Sequence, residues 1–183
     1  MTTIELQDSA PPAPASSVPA LSSVQALILI PVVLVVVAIF MAASAAACSA
    51  EFFVGFLFLL YWAGLEHADF KALPGAILGS LFGLILTLLL NVLTGRFGEV
   101  NGALGFLVLF LPVMFCQFRV LFPTVVNTAM VLQLMAGAIS QVQAHADFRG
   151  MFINLAVAVV YFGSLGWVVS KVRARLEAKR LAA

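Results

Sequence analysis

Long apolar runs alternate with short polar breaks along this chain, and the breaks define the elements. The runs cover 24–47, 52–65, 72–93, 103–122, 123–143 and 151–170. About 20 apolar residues in a helix cross the core of a bilayer, so the pattern predicts an all-α, polytopic transmembrane bundle of about six spans. Ser22 or Ser23 can N-cap the first run, and Pro31 lies in its first turns, where it can bend the helix. The second run is rich in aromatics, and Tyr61 and Trp62 near its end suit the headgroup zone. The third stops at a turn, 94–99, that carries Arg96 and Glu99, and the fourth closes near Arg119, within snorkelling distance of water. Pro123 reads as the first residue of the fifth helix. Residues 1–23 lack Lys and Arg and are Ala/Pro/Ser-rich, which predicts a disordered tail. They also lack the positive n-region of a signal peptide, so the first run counts as a helix of the fold. Residues 171–183 form a basic C-terminal tail, and only short connections remain between the spans.

Composition agrees with lipid as the solvent. The 183 residues are 63% hydrophobic and 9% charged, against about 45–50% and about 25% in soluble domains. Net charge is +1, with no basic stripe outside the C-terminus, which argues against a nucleic-acid partner. Lys171, Arg173, Arg175, Lys179 and Arg180 assign the C-terminus to the cytoplasm. With six spans the N-terminus joins it, together with Lys71 and Arg119, while Arg96 and Arg149 fall outside. Cys48 and Cys116 stand apart from each other and from any His at zinc-ligand spacing, and read as small buried hydrophobes. No metal or other cofactor is expected. Gly-rich phosphate loops, nucleophile motifs and paired catalytic carboxylates are missing, so no enzyme is expected either.

Two polar breaks are nearly the same peptide: His67-Ala68-Asp69-Phe70-Lys71 and His145-Ala146-Asp147-Phe148-Arg149, at an offset of 78. Leu29-Ile30-Pro31-Val32-Val33 and Phe110-Leu111-Pro112-Val113-Met114 match at an offset of 81. The two matches predict duplication of a three-helix unit. Because three is odd, the second copy must enter the membrane from the opposite side, giving a 3+3 inverted repeat with a site between the halves.

Ionisable and amide side chains in a membrane are costly and become functional candidates. His67, Asp69, His145 and Asp147 can relay protons or hold a polar solute, since a carboxylate beside an imidazole raises its pKa; as residues at helix ends they equally suit the headgroup level. Asn127 and Gln133 mark a polar, small-residue face on the fifth run, with Ala129, Ala136, Gly137, Ser140 and Ala144. That face can line a path or bond to other helices. Gly75, Gly79, Gly83, Thr87 and Asn91 recur at every fourth position of the third run, a ridge for close helix packing, and Asn91 needs a buried partner. Gly163 and Gly166 are assigned to packing on the sixth run.

The second and third runs resemble the YcdZ-like family of small bacterial inner-membrane proteins. An aromatic helix ends Trp62-Ala63-Gly64, a polar turn carries Lys71, and a helix with Gly79 and Gly83 follows. The close of the chain is similar too, from Phe152-Ile153-Asn154-Leu155 through Gly163 and Gly166 to Ser170. His67 and Asp69 depart from the glycine-rich turn of that pattern. A weaker similarity, Lys71 to Gly83, is to the membrane half of fusaric-acid-resistance-type aromatic-acid exporters, without their cytoplasmic domain. These resemblances imply a multi-pass protein of the bacterial inner membrane. The expected function is a channel or transporter for a small solute, in a homo-oligomer or with a partner membrane subunit. The alternative is a non-transporting subunit or scaffold that meets partner helices through the Gly75/Gly79/Gly83 ridge.

Overall fold

The computed structural model describes residues 23–47 and 49–181, and among these the secondary structure is helical throughout. The chain divides into two units, Met1–Val37 and Ala38–Ala183. In the first, the described residues are the opening turns of helix α1 (Ser23–Ala46), with Pro31 inside them. Cys48 and residues 1–22 lie outside the described residues, as do the tail and the Ser22 cap expected there.

The second unit holds the rest. Helix α2 (Phe52–Leu59) passes directly into a π-helical segment, Leu60–Leu65. After the break come α3 (Leu73–Phe97), α4 (Glu99–Phe118), α5 (Thr128–Gly137), α6 (Ser140–Ala144) and α7 (Phe148–Leu181). Among the described residues three helices are long and apolar enough to cross a membrane: Leu73–Phe97, Glu99–Phe118 and the Phe148–Arg175 part of α7. Shorter apolar helices cover Ile30–Ala46, Phe52–Leu65 and Thr128–Gly137.

Two boundaries depart from the sequence pattern. The fifth run is not one helix from Pro123. Val120 and Phe122 take left-handed backbone conformations (φ 53° and 55°), and the helix starts only at Thr128. It starts there because Asn127, extended at φ −143°, accepts the Met130 N–H with its side chain at 3.3 Å and caps the first turn. The same run breaks again at Ala138 and Ile139, where Ile139 is extended, before the single turn of α6. The basic tail, expected beyond Ser170, continues α7 instead, and Lys171 lies 5.7 Å from the Trp167 ring centre.

Helix α3 is the centre of the second unit. It packs most extensively on α5 and α4, while α7 packs chiefly on α2. Leu86, Phe106, Met130 and Leu134 form a buried cluster among α3, α4 and α5. The α3–α4 hairpin turns on one residue, Gly98 (φ 83°), and Gly102 lies so close to the backbone at Leu93 and Thr94 that a Cβ there would overlap it. On the other side Phe40, Phe58, Trp62, Leu155 and Phe162 are buried, with the Phe40 and Phe162 rings 4.9 Å apart. Most of α4 faces outward with large apolar side chains, including Leu104, Val108, Leu111 and Phe115. Trp62 is 1% exposed: its ring meets Phe58, Phe70 and Gly166, and its Nε1 donates to Asp69 O at 2.9 Å.

Candidate functional site

The glycine ridge of α3 is covered within the chain. Asn127 Nδ2 donates to Gly75 O at 2.9 Å, and a Cβ on Gly79 would overlap the Asn127 amide. One on Gly83 would meet Met130 O and the Gln133 side chain, and Thr87 packs on Gly137. At the top, Asn91 Nδ2 donates to Gln143 O at 3.1 Å. The order of contacts, from 75 with 127 to 91 with 143, means that α5 and α6 climb α3 in parallel. Alone, the 10 residues of α5 rise only about 15 Å. With the break and α6 they accompany α3 from its first turn to Asn91.

A second parallel pair is α2 with α7. Ser49 Oγ donates to Gly150 O at 2.8 Å, Gly55 is pressed between Phe40, Asn154 and Ala158, and Trp62 reaches Gly166. One peptide unit joins the two pairs. The Val54 carbonyl accepts from Gln133 Nε2 of α5 at 2.9 Å, and the Gly55 N–H donates to Asn154 Oδ1 of α7 at 2.8 Å. Asn154 Nδ2 then donates to Ser44 Oγ of α1 at 2.9 Å. Gln133, Asn154 and Ser44 are all 0% exposed. An unpaired backbone group at such depth costs several kcal/mol in an apolar medium, so the Asn154 amide answers the need of the Gly55 N–H, because Glu51 O is taken by Val54 N, while Gln133 adds a second donor to the Val54 carbonyl.

Gln133 and Asn127, candidates for a solute path, are therefore bonded into the helix contacts. Asn91 is different, since it lines a cavity of about 590 Å³ between the upper ends of α3 and α4 and the α5–α6 break. Thr94, Glu99, Ser140 and Gln143 line it with Asn91, against apolar walls that include Leu90, Ala103 and Ala138. The His-x-Asp pairs are elsewhere. His67, Asp69, His145 and Asp147 are all exposed, and the two breaks differ in backbone. His67 and Ala68 are left-handed (φ 52° and 57°), and Asp69 Oδ1 accepts from Lys71 N at 2.9 Å. His145 instead ends α6 at φ −125°, and Asp147 immediately precedes α7 and lies against Gly150. No cluster of three metal-ligating acidic, His or Cys side chains occurs among the described residues. Gly166 lies against the Trp62 ring, whereas a Cβ on Gly163 would meet nothing within 4 Å.

Asn154, Gln143, Glu99 and Thr94 were not singled out for a site by sequence. For Asn154 the signal existed: an amide in the middle of an apolar run. For the other three it did not, because each falls at the edge of a run, where polar residues are ordinary.

The three apolar helices and the outward apolar face of α4 point to a helical membrane protein. No protein-family model, curated protein or solved structure matches the chain.

Proposed function

We infer that this is a multi-pass inner-membrane protein that conducts or transports a small polar solute, with six crossings arranged as two inverted halves and both termini cytoplasmic. The observation that carries the reading is the interruption of the fifth crossing at Ala138 and Ile139, beside the cavity that Asn91, Thr94, Glu99 and Gln143 line with apolar walls. Discontinuous helices are the usual site-builders of transport folds, and here the break borders a cavity at the Glu99 end of α3 and α4.

Exchanged contacts support the inverted halves. Ser49 to Gly150 O and Asn127 to Gly75 O are the same kind of bond, from the start of a half's second helix to the first turn of the other half's third. Their residues match at offsets of 78 and 75, close to the 78 and 81 of the sequence repeats. Val54 and Gln133, 79 apart, meet each other, as matched positions do at a two-fold axis. The alternative reading, a subunit docking through Gly75, Gly79 and Gly83, loses its surface because α5 already occupies that ridge.

With Cys48 and Cys116 replaced, a cysteine at Asp69 is expected to react with an impermeant maleimide only in broken cells, and one at Asp147 in intact cells as well. Reaction of both from the same side would end the inverted arrangement. The transport reading is tested by flux from reconstituted vesicles: Ser140→Trp, which fills the cavity from its exposed rim, should abolish a solute flux that the unmodified protein supports. Vesicles that release no small ion or polar solute faster than protein-free ones would overturn it.

A further inference from the structure

The cavity's free side-chain capacity is weighted toward acceptors, with the Ser140 hydroxyl able to give or take a bond. Asn91 commits one Nδ2 hydrogen to Gln143 O and keeps Oδ1 and a second N–H for a ligand. Gln143 spends its Nε2 on Gly137 O at 2.6 Å, and its buried Oε1 has no partner. Thr94 donates its hydroxyl hydrogen to Leu90 O and Asn91 O at 3.0 and 3.1 Å, so only its lone pairs remain. Glu99, the fourth acceptor, adds a negative charge and forms no ion pair with any described residue. Its place in the first turn of α4 suits the helix dipole. That explains an acid there, but not four acceptors around one space.

A carboxylate and three acceptor oxygens facing apolar walls, with no basic side chain in the lining, favour one chemistry: a cationic head with several N–H donors on a short apolar body. A volume of about 590 Å³ lies within the ~300–1,000 Å³ of small-molecule sites. Anions find no basic group among the lining residues.

We propose that this cavity binds small primary ammonium compounds, with Glu99 as the charge partner and Gln143 Oε1, Asn91 Oδ1 and the Thr94 hydroxyl oxygen as acceptors. The proposal deepens the transport reading, since the cavity is the same one. It predicts selection by donors and by charge together. Tetramethylammonium carries the charge without an N–H, and benzyl alcohol has the body without the charge, so both should bind far more weakly than benzylammonium.

The test is calorimetric titration of the full-length protein in detergent with benzylammonium, followed by flux of the same compound from vesicles. Glu99→Gln should weaken binding about ten-fold or more, the usual loss for a charge-assisted hydrogen bond. Ala103→Phe, which fills the cavity without removing a polar contact, should abolish binding while the thermal melt stays in place. Glu99 is exposed and Ala103 half-buried, so both variants are expected to fold. No saturable heat with benzylammonium, equal binding of tetramethylammonium, or binding indifferent to both substitutions would overturn the proposal. Saturable binding sensitive to Glu99 without flux would uphold it and remove the transport reading. Flux unaffected by Glu99→Gln and Ala103→Phe would do the reverse.

Discussion

Gly79→Leu is expected to leave no folded protein, and Gly79→Ala to cost about 2–4 kcal/mol, from overpacking and a damaged N-cap together. The reason is the Asn127 amide, which occupies the space of a Gly79 Cβ while it caps α5 and binds Gly75 O. Any side chain at Gly79 therefore pushes α5 off α3 and breaks both bonds. Unfolding in mixed micelles, followed by circular dichroism, measures the effect. A double-mutant cycle tests the cause: Asn127→Ala makes room, so the double variant should lose markedly less than the two singles added together. Gly163→Ala is the control. It meets nothing and should be neutral or stabilising by up to ~1 kcal/mol through helix propensity. Simple additivity of Gly79→Ala with Asn127→Ala would show that the close approach is not what the glycine serves.

The second large effect belongs to Asn154. Replacement by Leu leaves the buried Gly55 N–H without an acceptor and Ser44 Oγ without its donor, a loss of about 2–3 kcal/mol. Gln133→Leu should cost less, about 1 kcal/mol, because a carbonyl with two lone pairs tolerates losing one donor better than an N–H tolerates losing its acceptor. Ser44→Ala should couple to Asn154→Leu, and the midpoint shift in the same unfolding assay checks the ranking. If Gln133→Leu were as damaging as Asn154→Leu, the Gly55 N–H would not be the decisive group.

The sequence was informative about which residues are apolar and where the polar breaks fall, because lipid imposes long runs. It was blind to interruptions that carry no signature. Nothing at Ala138-Ile139 forbids a helix, and Val120 and Phe122 are poor candidates for a left-handed backbone. The four-residue spacing from Gly75 to Asn91 announced a packing surface correctly, yet spacing does not name the partner. That required seeing Asn127 against Gly79. Position at a helix end likewise does not announce that the Trp62 ring packs against Gly166. The His-x-Asp pairs drew attention through chemistry and likeness, whereas the cavity is built from residues that look unremarkable one at a time.

The Val54–Gly55 peptide bears on how the chain is made. Its N–H waits for Asn154, a partner 99 residues further along. A ribosome adding roughly 5–20 residues per second leaves that peptide uncovered for several seconds after α2 emerges. A chain cut short before α7 never covers it. Such fragments would carry an unpaired amide in lipid, a natural mark by which membrane quality control can tell an unfinished molecule from a finished one.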